Sequence, residues 1–232
     1  MKRWVGVDAC RRGWFAVHID ADGTADFTLF DTFGVLWDAY RKADRILVDV
    51  PIGLPEDALR EADAQGRALL KARRSSVFQV PVRAAVYALT YADASEQNFA
   101  AVGRRLSRQT WNITHSIRDV DGLLRITEAA RARVMESHPE IVFWRLAGHE
   151  MRFNKKLPPG HSERLEALKV HFPAAPDLYE AALKAHRRSD VARDDILDAL
   201  ALAIAARGEL RSVPETPPRD RHGLPMRIVF PR

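Results

Sequence analysis

The sequence has one cysteine, Cys10, in 232 residues. A lone thiol excludes an internal disulfide framework and suits a reducing cytoplasm. No His/Cys spacing resembles a zinc motif. No apolar run approaches the roughly 18 residues of a membrane span. The chain opens on Met-Lys-Arg-Trp followed directly by strand-like sequence, with no secretory apolar core or cleavage site. The expectation is a cytoplasmic protein with no membrane partner. Gly6-x-Asp8 and Gly13 make neither a phosphate loop nor a dinucleotide fingerprint, and no Gly-x-Ser-x-Gly elbow is present. Ser75-Ser76 has no arguable base partner and reads as packing or capping rather than as a nucleophile.

What is present is an ordinary globular balance: 47% hydrophobic and 29% charged residues, enough to bury one sizeable core. The formal charge is +5, from 36 basic and 31 acidic residues. That balance permits a polyanionic partner without requiring one. Basic residues crowd at Lys71–Arg74, at Arg104-Arg105 with Arg108, at Lys155-Lys156 and from Lys184 to Arg188. Each cluster has two readings, a solvated face or part of a nucleic-acid surface.

Hydrophobic patterning predicts strands over 4–8, 14–20 and 24–30, joined by the Cys10–Gly13 turn and the Asp22-Gly23 corner. A helix is expected over 31–40, with Phe33, Leu36, Trp37 and Tyr40 on one face. The apolar run Arg45–Val50 follows, of the kind found in central strands. A helical crossover would set it beside the first strand and parallel to it. Residues 51–130 are too long for one connection and predict a helical insertion covering the sheet's active edge. Within it helices are expected over 56–73, 84–94, 98–107 and 117–130. A fifth strand is expected to run up to Glu136, followed by a helix over 141–146. Further helices are predicted over 161–170, 175–186 and 194–207, the last rich in alanine and able to lie close on the sheet. The expected organisation is one α/β domain over 1–212 on a mixed five-stranded sheet, its first three strands antiparallel, and a tail over 213–232 that either packs on the domain or stays free of it. An edge strand within 223–230 is expected in that tail.

Acids punctuate this plan. Asp8 and Asp49 each end a strand, and adjacent parallel strands would place both at the sheet edge where sites form. Asp8 alone has two readings, a turn cap for the amides of Arg11–Gly13 or a catalytic acid. Glu136 ends the fifth strand; Asp195 and Asp198 share a face at the start of the last long helix, where Asp194 reads as a cap. Gathering carboxylates costs energy unless a cation neutralises them. Mg²⁺ or Mn²⁺ takes such hard oxygen ligands, and paired ions serve phosphodiester hydrolysis. The expected metal set is Asp8, Asp49, Glu136 and Asp195. His138, before Pro139, reads equally as a structural hydrogen bonder or as a neighbour of the site.

Five ordered motifs carry a resemblance. They are Gly6-Val-Asp8-x-Cys10-Arg11-x-Gly13-Trp14, Asp49-x-Pro51-Ile-Gly53-Leu54, Ser75-Ser76-Val-Phe78-x-x-Pro81-x-Arg83, Glu136-x-His138-Pro139-Glu140 and Asp194-Asp195-x-x-Asp198-Ala199. Over about residues 3–210 the chain resembles an uncharacterised bacterial and archaeal family, "domain of unknown function 429", commonly labelled a predicted nuclease with an RNase H-like fold. Ala9, Arg12 and Gln79 stand where the usual family pattern has glycine, glycine and proline; these departures touch turns, not acids. The resemblance implies an RNase H-like sheet with Asp8 ending the first strand and Asp49 ending the fourth. It also implies a last acid on the closing helix, where Asp195-x-x-Asp198-Ala looks like the element of Holliday-junction resolvases.

The leading expectation is a metal-dependent nuclease acting on DNA or RNA. Asp8 would anchor the ions, Asp49 and Asp195 would complete their shell, and Glu136 or Asp198 would orient water. Arg83, Lys155, Lys156 and Arg164 are the candidates for holding phosphates. Two alternatives stand beside it. One is a non-catalytic module binding nucleic acid or a protein through its acid cluster; the other is an ATP-binding phosphotransferase or ATPase of the actin-like type.

Overall fold

The computed structural model describes residues 1–232. Strand β1 (Arg3–Cys10) and strand β2 (Gly13–Asp20) form a tight hairpin closed by the pair Cys10↔Gly13. Strand β3 (Ala25–Phe30) continues antiparallel to β2. The Thr32 hydroxyl, accepting from the Val35 amide, starts helix α1 (Phe33–Tyr40), which buries Phe33, Leu36, Trp37 and Tyr40. Strand β4 (Arg45–Val48) then runs parallel to β1, and β5 (Val134–Glu136) parallel to β4. The result is a mixed sheet of five strands in the order β3-β2-β1-β4-β5.

Alternation along these strands divides the core in two. Val5, Val7, Ile46 and Val48 face α1 and part of the helical insertion. Phe15, Val17, Ile19 and Leu47 face the other way, onto helix α11 (Arg193–Ala206). That helix lies on β1 at Gly6, where a Cβ would stand 2.1 Å from the Ala199 carbonyl oxygen. Glycine on the strand and alanine on the helix bring the two backbones this close.

Between β4 and β5 the chain builds α2 (Glu61–Leu69), a single 3₁₀ turn (Arg74–Ser76), α3 (Arg83–Tyr87), α4 (Tyr91–Val102), α5 (Arg108–Asn112), α6 (Thr114–Ile126) and α7 (Glu128–Arg131). The helices expected over 84–94 and 98–107 are divided differently. Thr90 accepts from the Asp93 amide and starts one helix, which Gly103 ends in the left-handed region at φ 69°. Local capping chemistry outweighs the apolar spacing there. The helix expected over 56–73 is shortened to α2.

After β5 come α8 (Pro139–Ala147), α9 (Pro158–His171), α10 (Ala175–Ala185) and α11. The last segment carries the strand expected within 223–230, and a second strand before it pairs with that one. Strands β6 (Leu210–Val213) and β7 (Ile228–Pro231) pair with each other, and Val229 bridges to Ser137 just beyond β5. Leu224, Ile228 and Phe230 are buried, so this segment belongs to the domain's packing. No helix is long and apolar enough to cross a membrane.

Candidate metal centre

The period of two on β1 puts Gly6 and Asp8 on one face. Since α11 crosses that face with Ala199 on Gly6, the residue before Ala199 comes up beside Asp8. That residue is Asp198. On β4, Leu47 points to the α11 side, so Asp49 two residues later does too; its amide still donates to the Val7 carbonyl at 3.0 Å. Asp8, Asp49 and Asp198 each offer a carboxylate oxygen, and the three oxygens lie within 4.8 Å of one another.

Asp8 is 7% and Asp198 1% exposed. Burial, then the charges of Asp49, Asp195 and Asp198, hold the Asp8 carboxyl well above the usual carboxylate range. Asp49 is also raised, chiefly by burial. Burial pushes Asp198 up to about 6, against the pull of Lys155 and with a further push from Asp49. One oxygen of Asp198, Oδ1, is buried with no hydrogen-bond partner. The other accepts from Lys155 Nζ at 2.6 Å. The turn-cap reading of Asp8 fails, because the Cys10–Gly13 turn closes on its own backbone pair while the Asp8 carboxylate faces Asp49 and Asp198.

Two of the acids expected in the metal set fall outside the three that converge, Glu136 on the other face of the sheet and Asp195 beside the group, where its charge acts on Asp8. Glu136 pairs across the sheet with Val48, so it points to Val48's face, opposite to Asp8 and Asp49. There it accepts from the Ile52 amide at 2.7 Å and from Arg60 Nη2 at 2.7 Å, and burial raises it to about 7. It holds the chain after β4 in place. Asp195 accepts from the Ala192 amide at 2.8 Å, closing the first turn of α11; burial raises it to about 7. Asp198, expected to orient water, takes the inner position instead, one helical turn deeper.

The candidates for holding phosphate also separate. Arg83 is buried and bound to Asp121 at 2.7 Å, Asp220 at 2.6 Å and Glu56 at 3.1 Å. Arg164 is fully buried, bound to Glu140 and to the Gly160 carbonyl. Both guanidiniums are spent on internal pairs, so neither is available to a ligand. Lys155 sits among the acids. Lys156 is exposed on the wall of the cleft.

That cleft, of about 950 Å³, has Asp8, Asp49 and Asp198 on its floor and the insertion as its far wall. Arg104 and Arg105 line it from the insertion, exposed. Arg104 donates to the Gln79 side chain at 2.7 Å and Arg105 to Glu96 at 2.5 Å. His138 lines the same cleft; its Nε2 is 3.2 Å from the Ser76 carbonyl, and its Nδ1 is buried without a partner. Burial pushes the Cys10 thiol up to about 11, which keeps it in the protonated form at neutral pH.

Sequence reasoning missed Lys155 as a partner of the acids and ranked Asp195 above Asp198. A signal for the second was available. Gly6 in a buried strand invites a close helix, and the small residues Ala199 and Ala203 on α11 fit it, which places Asp198 next to Asp8.

The acid set suits a hard divalent cation: three carboxylate oxygens converge, Asp198 keeps one buried oxygen without a partner, and no thiolate or imidazole is among the converging groups. Neither a curated protein nor a solved structure matches the chain. One family's sequence model does, over residues 6–219, and the chain belongs to that family: Protein of unknown function (DUF429).

Proposed function

We propose that this protein is a metal-dependent phosphodiesterase that hydrolyses DNA or RNA on an RNase H-like sheet. The observation that carries the reading is the convergence of Asp8, Asp49 and Asp198, with one buried oxygen unpartnered, on the floor of a cleft whose walls carry exposed basic residues. The fold part is supported by three antiparallel strands followed by a fourth parallel to the first, with Asp8 near the C-terminal end of β1 and Asp49 directly after β4.

Asp8, Asp49 and Asp198 would hold Mg²⁺ or Mn²⁺, which supplies activation of a water and stabilisation of the leaving oxygen. Asp8 stands close to both Asp49 and Asp198 and would ligate the ion together with them. Lys156, Arg104 and Arg105 offer cationic groups along the wall to position a phosphate backbone. His138 lines the same cleft, held by the Ser76 carbonyl at its Nε2, and its Nδ1 is buried without a partner.

The test is cleavage of a panel of single-stranded, duplex and branched DNA and RNA with Mg²⁺ or Mn²⁺. Activity that needs the cation and disappears in Asp8→Asn, with circular dichroism unchanged, supports the reading. No cleavage of any substrate by the purified protein would sink it. Saturable metal binding without turnover would instead favour a non-catalytic binding module, a reading that the Lys155–Asp198 pair also allows.

A further inference from the structure

We propose that Lys155 is a resident cation of the acid group, so that the centre takes one divalent ion and not two. This inference rests on the metal-binding part of the reading above.

The charge count comes first. Asp8, Asp49 and Asp198 contribute three negative charges and the Lys155 ammonium one positive charge, leaving two, which one divalent ion balances. Two divalent ions would add four positive charges to that balance. Geometry points the same way. Paired ions need a bridging carboxylate with further ligands on both sides. Of Asp198, Oδ2 is already taken by Lys155 Nζ at 2.6 Å and only the orphaned Oδ1 is left; Asp195, on the same helix, lies outside the group of mutually close oxygens and accepts from the Ala192 amide. A second ion there would have to displace the ammonium. Asp194 meets the same ammonium at 3.8 Å but lies outside the group of mutually close oxygens.

The lysine is also held in place from its backbone. Arg73 donates to the Met151 and Phe153 carbonyls at 2.9 and 2.6 Å. The Glu163 carboxylate accepts from the amides of Arg152 and Phe153. On the next residue, the Asn154 carbonyl rests on Gly160, where a Cβ would stand 2.0 Å away. Buried Arg164 donates to the Phe153 and Gly160 carbonyls. Four separate anchors thus fix the segment that carries Lys155. A lysine serving only a mobile surface would need none of them.

The experiment counts ions rather than turnover. Mn²⁺ is titrated into the full chain, and the free ion is followed by electron paramagnetic resonance. The expected result is one ion per chain in the wild type and in Lys155→Arg, and a second in Lys155→Met. Lys155→Gln serves as the neutral variant if Lys155→Met does not fold. Two ions in the wild type, or none, would overturn the inference. So would a single ion in a folded neutral variant, since the lysine would then not be what excludes the second. The cleavage panel is independent of this count. One ion with no cleavage defeats the nuclease reading alone, and cleavage with two ions defeats this inference alone.

Discussion

Two groups of buried acids in this molecule are built on opposite principles. In one, Arg83 on the insertion binds Asp121 of α6 and Asp220 of the C-terminal segment, and Asp220 also accepts from the Leu54 and Leu224 amides. Every oxygen there has a donor, and three distant segments are joined. In the other, Asp8, Asp49 and Asp198 share a single lysine and leave one oxygen without any partner. The first arrangement is what a fold needs from buried charge: complete pairing, because breaking one partner strands the other. The second leaves mutual repulsion standing. The cost of such a group to the bare fold is what the proposed metal ion would offset.

The sharpest break of this contrast is Asp8→Asn. Cleavage should fall by roughly 10³-fold or more, on the scale of losing a principal charge-stabilising group. In the same variant without metal the melting temperature should rise, because a repelled buried charge is gone. A gain of about 1 kcal/mol shifts Tm by roughly 2–4 °C in a chain of this size. Loss of activity together with a lower Tm would place Asp8 among the structural acids.

Arg83→Ala should do the reverse. It leaves Asp121 and Asp220 buried without their cation, a loss of about 3–5 kcal/mol of stability, read by urea denaturation. At temperatures where the variant remains folded, Mn²⁺ affinity should hardly change.

The third test uses pH. Folded Asp198 titrates at about 6, and Asp195 and Glu136 at about 7, all raised by burial above their ordinary values. The unfolded chain therefore releases these protons first as pH rises. Their contribution to stability is complete below about pH 4, is lost between about pH 4 and 7, and levels off above. Metal-free protein should melt lower at about pH 7.5 than at about pH 5. Mn²⁺ should recover the share of the group at Asp198 and not that at Glu136. A flat or rising profile without metal would remove the contrast between the two acid sets.

The smallest expected effect lies on the cleft wall. Lys156→Ala should weaken nucleic-acid binding several-fold across sequences and reduce the slope of log affinity against log salt by about one. An unchanged slope would take Lys156 out of the phosphate path.

The two acid groups also differ in how far the sequence reveals them. Asp8 and Asp49 are legible because each follows an apolar strand run, and a carboxylate there needs a reason; β1 itself continues past Asp8 to Cys10. The Arg83 network was not legible: its partners lie 38 and 137 residues away, and neither sequence neighbourhood announces the pairing. Arg164 misled in the same way, as basic residues look alike until burial distinguishes them. Lys155 was noticed for its charge, but its partner Asp198 sits 43 residues on.

The sequence by itself determined the order of the five strands of the main sheet, the glycine turn after β1, the long insertion and the acids near the C-terminal ends of β1 and β4. These follow from local spacing, capping and the cost of a charge in an apolar strand, all readable over a few neighbours. Tertiary structure alone decided which acids meet. Glu136 faces away because it stands level with Val48 rather than with Asp49, a difference of one residue in register. Asp198 rather than Asp195 reaches Asp8 because α11 settles onto Gly6 at Ala199. Both outcomes depend on how whole elements dock, and a side chain's face is set only when that docking is complete.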